Sequence, residues 1–194
     1  KYAQHSAAGR EAEKRFRSEV IEPANAAFRR GDDEAGARIM TGGINGQGVA
    51  TLTPRKGHAV LLQALAGLTH RRWTLHCVGS PHRDEALARQ LHARTAAGPL
   101  AGRVVWHGEV DEAALQARYA AADVFVLASL HEGHGMVIDE ALRHGLPVVA
   151  SDAGALAQTV PRDAGLQVPA GDEAAWRQAL GRVLQDAALR QRMA

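Results

Sequence analysis

The sequence contains one cysteine, few aromatic residues and no long apolar run, and each shortage argues against a class of function. Cys77 cannot form an internal disulfide and is expected to be a small buried hydrophobe, which is compatible with the reducing cytoplasm where we place the chain. Aromatic residues make up only 4% of the chain, which argues against a stacking platform for single-stranded nucleic acids. No apolar stretch reaches the ~18 residues of a transmembrane helix, so no membrane span is expected.

The charges of the sequence nearly cancel. The 23 Lys and Arg residues and the 21 Asp and Glu residues give a net charge of +2 with histidine neutral. Nucleic-acid-binding domains usually carry a basic patch or stripe, whereas the cations here are scattered, so no nucleic-acid partner is expected. A length of 194 residues with 46% hydrophobic residues fits one large globular domain or two small ones.

From residue 49 onward, apolar runs that resemble strands alternate with helical patterns. This alternation predicts βαβ units with right-handed crossovers, and therefore an α/β, Rossmann-like parallel sheet with helices on both faces. The six predicted strands are 49–53, 73–79, 104–107, 124–129, 145–151 and 165–169. The predicted helices are 58–67, 84–94, 111–121, 136–144, 155–159 and 172–184.

Residues 1–48 have a different pattern and are predicted to be a helical arm with a connector, separate from a domain at 49–194. Apolar positions predict a helix over 11–28, a second helix is expected over 32–40, and the glycine-rich stretch 41–48 reads as a turn. An isolated amphipathic helix is marginal in water, so the apolar face of 16–28 needs a partner. It would pack on the sheet or against a second copy of the chain, which makes a homodimer possible.

Two carboxylates and two glycines follow the apolar run 124–129. Glu132 and Glu140 bracket a predicted strand-to-helix turn, where backbone N–H groups and the helix dipole favour a phosphate group. A carboxylate can also accept hydrogen bonds from neighbouring sugar hydroxyls. The loop 53–58, which carries Lys56, also follows a predicted parallel strand and should lie on the same rim of the sheet. Lys56 alone would fit a solvated loop residue, but its place on a shared rim indicates a nucleotide-sugar site.

Other readings of this segment are weaker. His131 and His134 are three residues apart around a glycine, whereas a zincin needs two histidines four apart on one helix, so no metal site is expected. The chain has no Gly-x-Ser-x-Gly nucleophile elbow, which disfavours an α/β-hydrolase. The glycines at 133 and 135 match only half of a dinucleotide fingerprint.

Five segments carry a resemblance to a known family. They are Val49-Ala-Thr-Leu-Thr-Pro-Arg-Lys-Gly-His58, Cys77-Val-Gly-Ser80, Tyr119-Ala-Ala-Ala-Asp-Val-Phe-Val-Leu127, Glu132-Gly-His-Gly-Met-Val-Ile-Asp-Glu140 and Ala141-Leu-Arg-His-Gly-Leu-Pro-Val-Val-Ala-Ser151. On these segments, residues 49–186 resemble the donor-binding, C-terminal domain of family 4 glycosyltransferases of GT-B fold.

The resemblance implies a role for each matching residue. Lys56 would neutralise the departing donor diphosphate, Glu132 would hold hydroxyls of the transferred sugar, and Glu140 would bind the ribose. Further donor contacts are implied for a set of loop residues: Thr51, Arg55, Gly79, Gly108, Gly133, His134, Gly135 and Met136. Many relatives carry Arg at the position of Thr51 and an aromatic residue at the position of His134.

The resemblance also describes the whole enzyme. It implies retaining transfer from a nucleoside-diphosphate sugar without a metal or another cofactor. A GT-B enzyme carries its acceptor site on a first Rossmann-like domain, and residues 1–48 are too few for one, since a βαβ-built domain needs roughly 100 residues. The acceptor is unknown, and the chain alone should transfer little sugar. The alternative is a non-catalytic fragment that serves as a binding or interaction module.

Overall fold

The computed structural model describes residues 36–42, 51–133 and 135–194. Within them six parallel strands form one sheet in the order β3-β2-β1-β4-β5-β6, which confirms the predicted α/β architecture. The strands are β1 (Ala37–Gly42), β2 (Trp73–Val78), β3 (Val104–Gly108), β4 (Val124–Leu127), β5 (Val148–Ser151) and β6 (Gly165–Val168).

Helices connect the strands as the periodicity predicts. They are α1 (His58–Ala66), α2 (Glu85–Ala96), α3 (Glu112–Ala121), α4 (Met136–Arg143), α5 (Leu156–Thr159), α6 (Glu173–Gln185) and α7 (Ala187–Met193), of which α7 was not predicted. Asp84, Asp111 and Asp172 each accept a hydrogen bond from the backbone N–H three residues later, and so cap α2, α3 and α6. No helix in the described residues is both long and apolar enough to cross a membrane.

The helices cover both faces of the sheet, and each face has its own core. On one face α1 and α6 pack over Ile39, Leu75 and Val126. On the other face α3, α4 and α5 pack over Met40 and Phe125. Burial of apolar side chains at ~25 cal/mol per Å² on both faces is the main force that holds these layers together.

The first strand differs from its prediction. Residues 37–42, partly assigned to a helix, form β1 in the middle of the sheet, so the predicted boundary at residue 48 falls after a strand of the domain. Of the strand predicted over 49–53, Thr51 makes only an isolated bridge to Ser80. The physical reason is burial on both faces, because Ile39 and Met40 point to opposite cores and so lack the alternation that marks a half-exposed strand. The helix predicted over 11–28 lies outside the described residues.

The strand order sets where a ligand can bind. From β1 the chain proceeds to β2 and β3 on one side, then crosses to β4, β5 and β6 on the other. The connection that follows β1 therefore runs toward one edge of the sheet, and the connection that follows β4 runs toward the other. In open parallel sheets the crevice outside the carboxyl ends of such strands is the usual ligand site.

Candidate functional site

The loop that carries Lys56 is held against the end of β4. Residues Pro54–Lys56 form a 3-10 turn, which ends at Gly57 with φ of +67°. A Cβ atom on Gly57 would collide with the carbonyl oxygen of Ala128, so this close approach requires glycine. The N–H of Leu130 donates to the carbonyl oxygen of Arg55 at 2.6 Å, which joins the two loops directly.

Lys56 and Glu132 form the central contact of the rim. The amine Nζ of Lys56 lies 2.6 Å from Oε2 of Glu132, whose residue is only 9% exposed. Ser129 donates to the same oxygen at 3.3 Å, and Nη1 of Arg55 lies 3.7 Å from Oε1. The sequence prediction that positions 56 and 132 share one rim is therefore met in the structure. Two cations, Lys56 and Arg55, thus lie within 4 Å of one buried carboxylate.

The turn after Glu132 leads into α4. The carbonyl oxygen of Glu132 accepts a hydrogen bond from the N–H of Ala155, which fixes the turn to the loop after β5. Gly133 is exposed, whereas Gly135 is buried and a Cβ atom on it would lie 2.8 Å from Cγ2 of Thr159. Gly135 occupies the N-cap position and has no side chain with which to cap the helix. His134 lies outside the described residues.

Glu140 lies one helical turn into α4 and contacts a different partner. Its Oε2 accepts a hydrogen bond from the hydroxyl of Tyr119 at 3.1 Å. Burial raises the pKa of Glu140, and the hydrogen bond from Tyr119 and the charge of Arg143 oppose that rise. Glu140 as a residue is half-buried, so part of its surface remains accessible.

A pocket opens at the ends of β1, β2 and β4, at the switch point. It is lined by Thr41, Gly42, Thr51, Leu52, Lys56, His58, Val78, Leu127 and Val137. Lys56 and Thr51 are therefore brought together. Glu132 touches this group through Lys56, while Glu140 follows Val137 by three residues on α4 and is not among the lining residues.

Gly79 and Gly108, for which the resemblance implies donor contacts, lie side by side. The N–H of Gly79 donates to the carbonyl oxygen of Gly108 at 2.9 Å, where β2 and β3 end. Met136, at the start of α4, is 49% exposed on the rim. The predicted donor residues thus divide into a contacting group at Lys56 and a second group at the ends of the neighbouring strands.

Sequence reasoning gave no role to three residues that shape the rim. His58 lines the pocket, is 7% exposed, and has a buried Nδ1 without a hydrogen-bond partner among the described residues. Burial and, to a smaller extent, the charge of Lys56 together lower the pKa of His58 to about 4, so the ring is neutral near pH 7. Ser129 and Tyr119 hold the two carboxylates. The only sequence feature that pointed to these two residues was their place just before the segment from Glu132 to Glu140.

Comparison with known proteins decides the family. Residues 48–186 match the family described as glycosyl transferases group 1, over most of the chain. This chain belongs to that family. The resemblance to the C-terminal domain of a GT-B glycosyltransferase is thereby confirmed, and it accounts for the sheet order and for the rim that faces the switch point.

Individual relatives of this group 1 domain agree with the assignment. A phosphatidyl-myo-inositol mannosyltransferase of Mycobacterium leprae is 39% identical over 142 residues, which are 72% of this chain and 36% of that protein. The C-terminal domain of a group 1 glycosyl transferase from Francisella tularensis superposes with a TM-score of 0.73 at 21% identity and covers 91% of both chains. Anabaena HepE, solved with UDP and glucose, gives a TM-score of 0.70 at 21% identity, covering 89% of this chain and 45% of that one. The chain thus spans about a third of the curated relative it matches.

Proposed function

We propose that this domain binds a nucleoside-diphosphate sugar at the β1/β4 switch point, as the donor-binding part of a retaining family 4 glycosyltransferase. The observation that carries the proposal is the 2.6 Å contact between Lys56 and Glu132 at the mouth of that crevice. Anabaena HepE, which shares this fold, was solved in complex with UDP and glucose, and this supports the same class of ligand.

The charges of the rim suit a diphosphate. Departure of a nucleoside diphosphate develops negative charge, and preorganised cations and backbone N–H groups stabilise it. Lys56 supplies a compact charge and Arg55, with a side chain 52% exposed, supplies a second one. The N-terminus of α4 adds a helix dipole that points at the same rim. These groups would do this work without a metal or another cofactor.

The carboxylates suit the two sugar rings of the donor. Glu132 is fixed by Lys56 and Ser129, so its carboxylate can accept hydrogen bonds from hydroxyls of the transferred sugar in a defined orientation. Glu140 would accept hydrogen bonds from the ribose hydroxyls, and the turns at Gly79 and Gly108 would approach the base. Thr51, Gly133, His134 and Met136 would complete the donor contacts.

Sugar transfer itself would also need an acceptor-binding domain. The acceptor is unidentified, and the acceptor-binding half of a two-domain enzyme would have to close over this rim. The isolated chain is therefore proposed to bind donor weakly and to transfer little sugar.

Calorimetric titration tests the proposal. ADP, GDP, UDP and their common sugars are titrated into the 194-residue chain. We expect saturable binding of at least one, weakened about tenfold or more by Lys56→Met, because a charge-assisted contact of roughly 1.5–3 kcal/mol is lost. Arg162→Met is the control, since Arg162 is exposed and precedes the edge strand β6, at the amino ends of the parallel strands and away from the crevice. No saturable binding, or equal loss in both variants, would refute the proposal and favour a non-catalytic module.

A further inference from the structure

A cluster of polar side chains joins α3 to α4 behind Glu140. On α3, Glu112, Gln116 and Tyr119 are spaced i, i+4, i+7 and so lie along one face of the helix. On α4 and its C-cap, Glu140 and His144 are spaced i, i+4 and face them. The two rows meet across the helix pair, and none of the five was connected to another by the sequence motifs.

The contacts within this cluster run in one continuous series. Nε2 of His144 lies 2.6 Å from Oε1 of Gln116, and Nε2 of Gln116 donates to Oε1 of Glu112 at 2.6 Å. The imidazole of His144 therefore donates from Nε2, because the amide oxygen of Gln116 can only accept. Its ring stacks on the ring of Tyr119 with centroids 5.1 Å apart and an interplanar angle of 11°. Tyr119, fully buried, then donates to Oε2 of Glu140 at 3.1 Å.

This arrangement fixes the Tyr119 hydroxyl before any ligand arrives. The ring is held by stacking on His144 and by Phe125, whose centroid lies 5.9 Å away on β4. Burial raises the pKa of Tyr119, and the neighbouring Glu140 carboxylate raises it further, so the phenol stays protonated and remains a donor. One oxygen of Glu140 is thus occupied from the interior, while the residue as a whole remains partly exposed.

We propose that Tyr119 is a positioning residue for Glu140: it holds one carboxylate oxygen so that the other is presented, ionised, to the ribose hydroxyls of the donor. The inference rests on the proposed function, because it assigns Tyr119 a part in the same site. A ligand that binds a freely rotating carboxylate must order that side chain, at a cost in binding free energy. A carboxylate that is already held by a hydrogen bond avoids this cost. The hydroxyl also offsets the cost of keeping a charge in a half-buried position.

The first test is a double-mutant cycle measured by calorimetry with the nucleoside diphosphate that binds wild type most tightly. Tyr119→Phe keeps the ring and its stacking and removes only the hydroxyl. We expect it to weaken binding about five- to tenfold, as for loss of part of a charge-assisted hydrogen bond. In a Glu140→Gln background the same change should weaken binding less than about twofold, since its partner is already altered. Thr95→Val, which removes a buried hydroxyl on the remote α2, is the control and should leave binding unchanged.

The second readout is the pH dependence of binding. The charged groups around Glu140 are Arg143 and Asp139 on α4 and Glu112 on α3. Removing the Tyr119 hydroxyl leaves these in place and takes away one interaction that lowers the pKa of Glu140. Tyr119→Phe should therefore lose affinity at a higher pH than wild type as the solution is acidified from pH 7.5 to 5.5. A purely structural role would lower stability without moving this profile.

A third measurement observes the ring of Tyr119 directly in the otherwise wild-type chain. Tyr2 and Tyr119 are the two tyrosines of the chain, so uniform 3-fluorotyrosine labelling gives two fluorine NMR signals, of which the one absent in Tyr119→Phe is assigned. We expect that signal to shift saturably on nucleotide addition, with the calorimetric midpoint.

The outcomes separate the two proposals. Three results would each overturn the positioning role while nucleotide binding stands. They are an affinity that Tyr119→Phe leaves unchanged, independent effects of Tyr119→Phe and Glu140→Gln on affinity, and a Tyr119 fluorine signal that does not shift when nucleotide is added. A wild-type chain that binds no nucleoside diphosphate would instead refute the function on which the role rests.

Discussion

The ion pair between Lys56 and Glu132 should be one of the strongest polar couplings in the domain. Its atoms are 2.6 Å apart, and the two side chains are 17% and 11% exposed. At that distance and an effective dielectric constant of about 20 the attraction is about 6 kcal/mol before desolvation. Desolvation of two ions removes much of this gain. We therefore expect a net coupling of about 2 kcal/mol, above the ~0.2–1 kcal/mol of exposed pairs.

The perturbation is Lys56→Met, which keeps a similar apolar stem and removes the charge. Removing one partner of a fully buried pair costs about 3–5 kcal/mol because the other charge is left uncompensated. Glu132 keeps Ser129 and Arg55 as partners, so the expected loss is smaller, about 2–3 kcal/mol. Pairing Lys56→Met with Glu132→Gln should recover part of that loss, since no unpaired carboxylate remains.

The assay is urea unfolding of wild type, both single variants and the double variant, followed by circular dichroism. A parallel cycle on the exposed pair Arg89 and Glu85, 3.5 Å apart on α2, sets the scale for a surface contact at about 0.3–0.5 kcal/mol. A coupling energy at position 56 no larger than that of the surface pair would refute the reasoning, because it would mean that the two loops do not hold their charges together.

Three further predictions concern the frame of the site. Gly57→Ala should destabilise the domain by about 2 kcal/mol more than Gly102→Ala in urea unfolding, because both have positive φ but only the first would push a Cβ atom into a main-chain carbonyl oxygen. The free energy of unfolding should fall by up to about 3 kcal/mol between pH 6.5 and pH 4, because the His58 imidazole takes up a proton in that range when the chain is unfolded but not when it is buried. His58→Gln should reduce this fall, whereas the control His70→Gln, at an exposed position, should leave it unchanged. Asp123→Asn should cost about 2 kcal/mol and speed amide hydrogen exchange in β1, because it removes a charged acceptor of β1's backbone and of its arginine; exchange in residues 37–42 that is already fast in wild type would show that β1 is not the central strand.

Local chemistry explains which elements the sequence predicts. The helix starts predicted near Asp84, Asp111 and Asp172 are correct because an aspartate before an amphipathic run satisfies helix N–H groups wherever that helix then packs. The shared rim of Lys56 and Glu132 is also predictable, because parallel strands direct their following loops to one edge. That topology needs only the order of strands and helices, not their packing.

The errors arise where packing decides. β1 (Ala37–Gly42) is buried on both faces, so its sequence carries neither the alternation of a half-exposed strand nor the helical period it was given. The contact between Tyr119 and Glu140 depends on how α3 lies against α4. Spacing places each residue on a face of its own helix, but only the packed structure shows that the two faces meet.

A crystal structure of this chain with a nucleoside-diphosphate sugar bound tests the central claim most directly. The account predicts diphosphate oxygens within hydrogen-bond distance of the Lys56 amine and of the amides at the start of α4, with the ribose hydroxyls on Glu140. A ligand that occupied another face of the sheet, or that left the Lys56–Glu132 crevice empty, would contradict it.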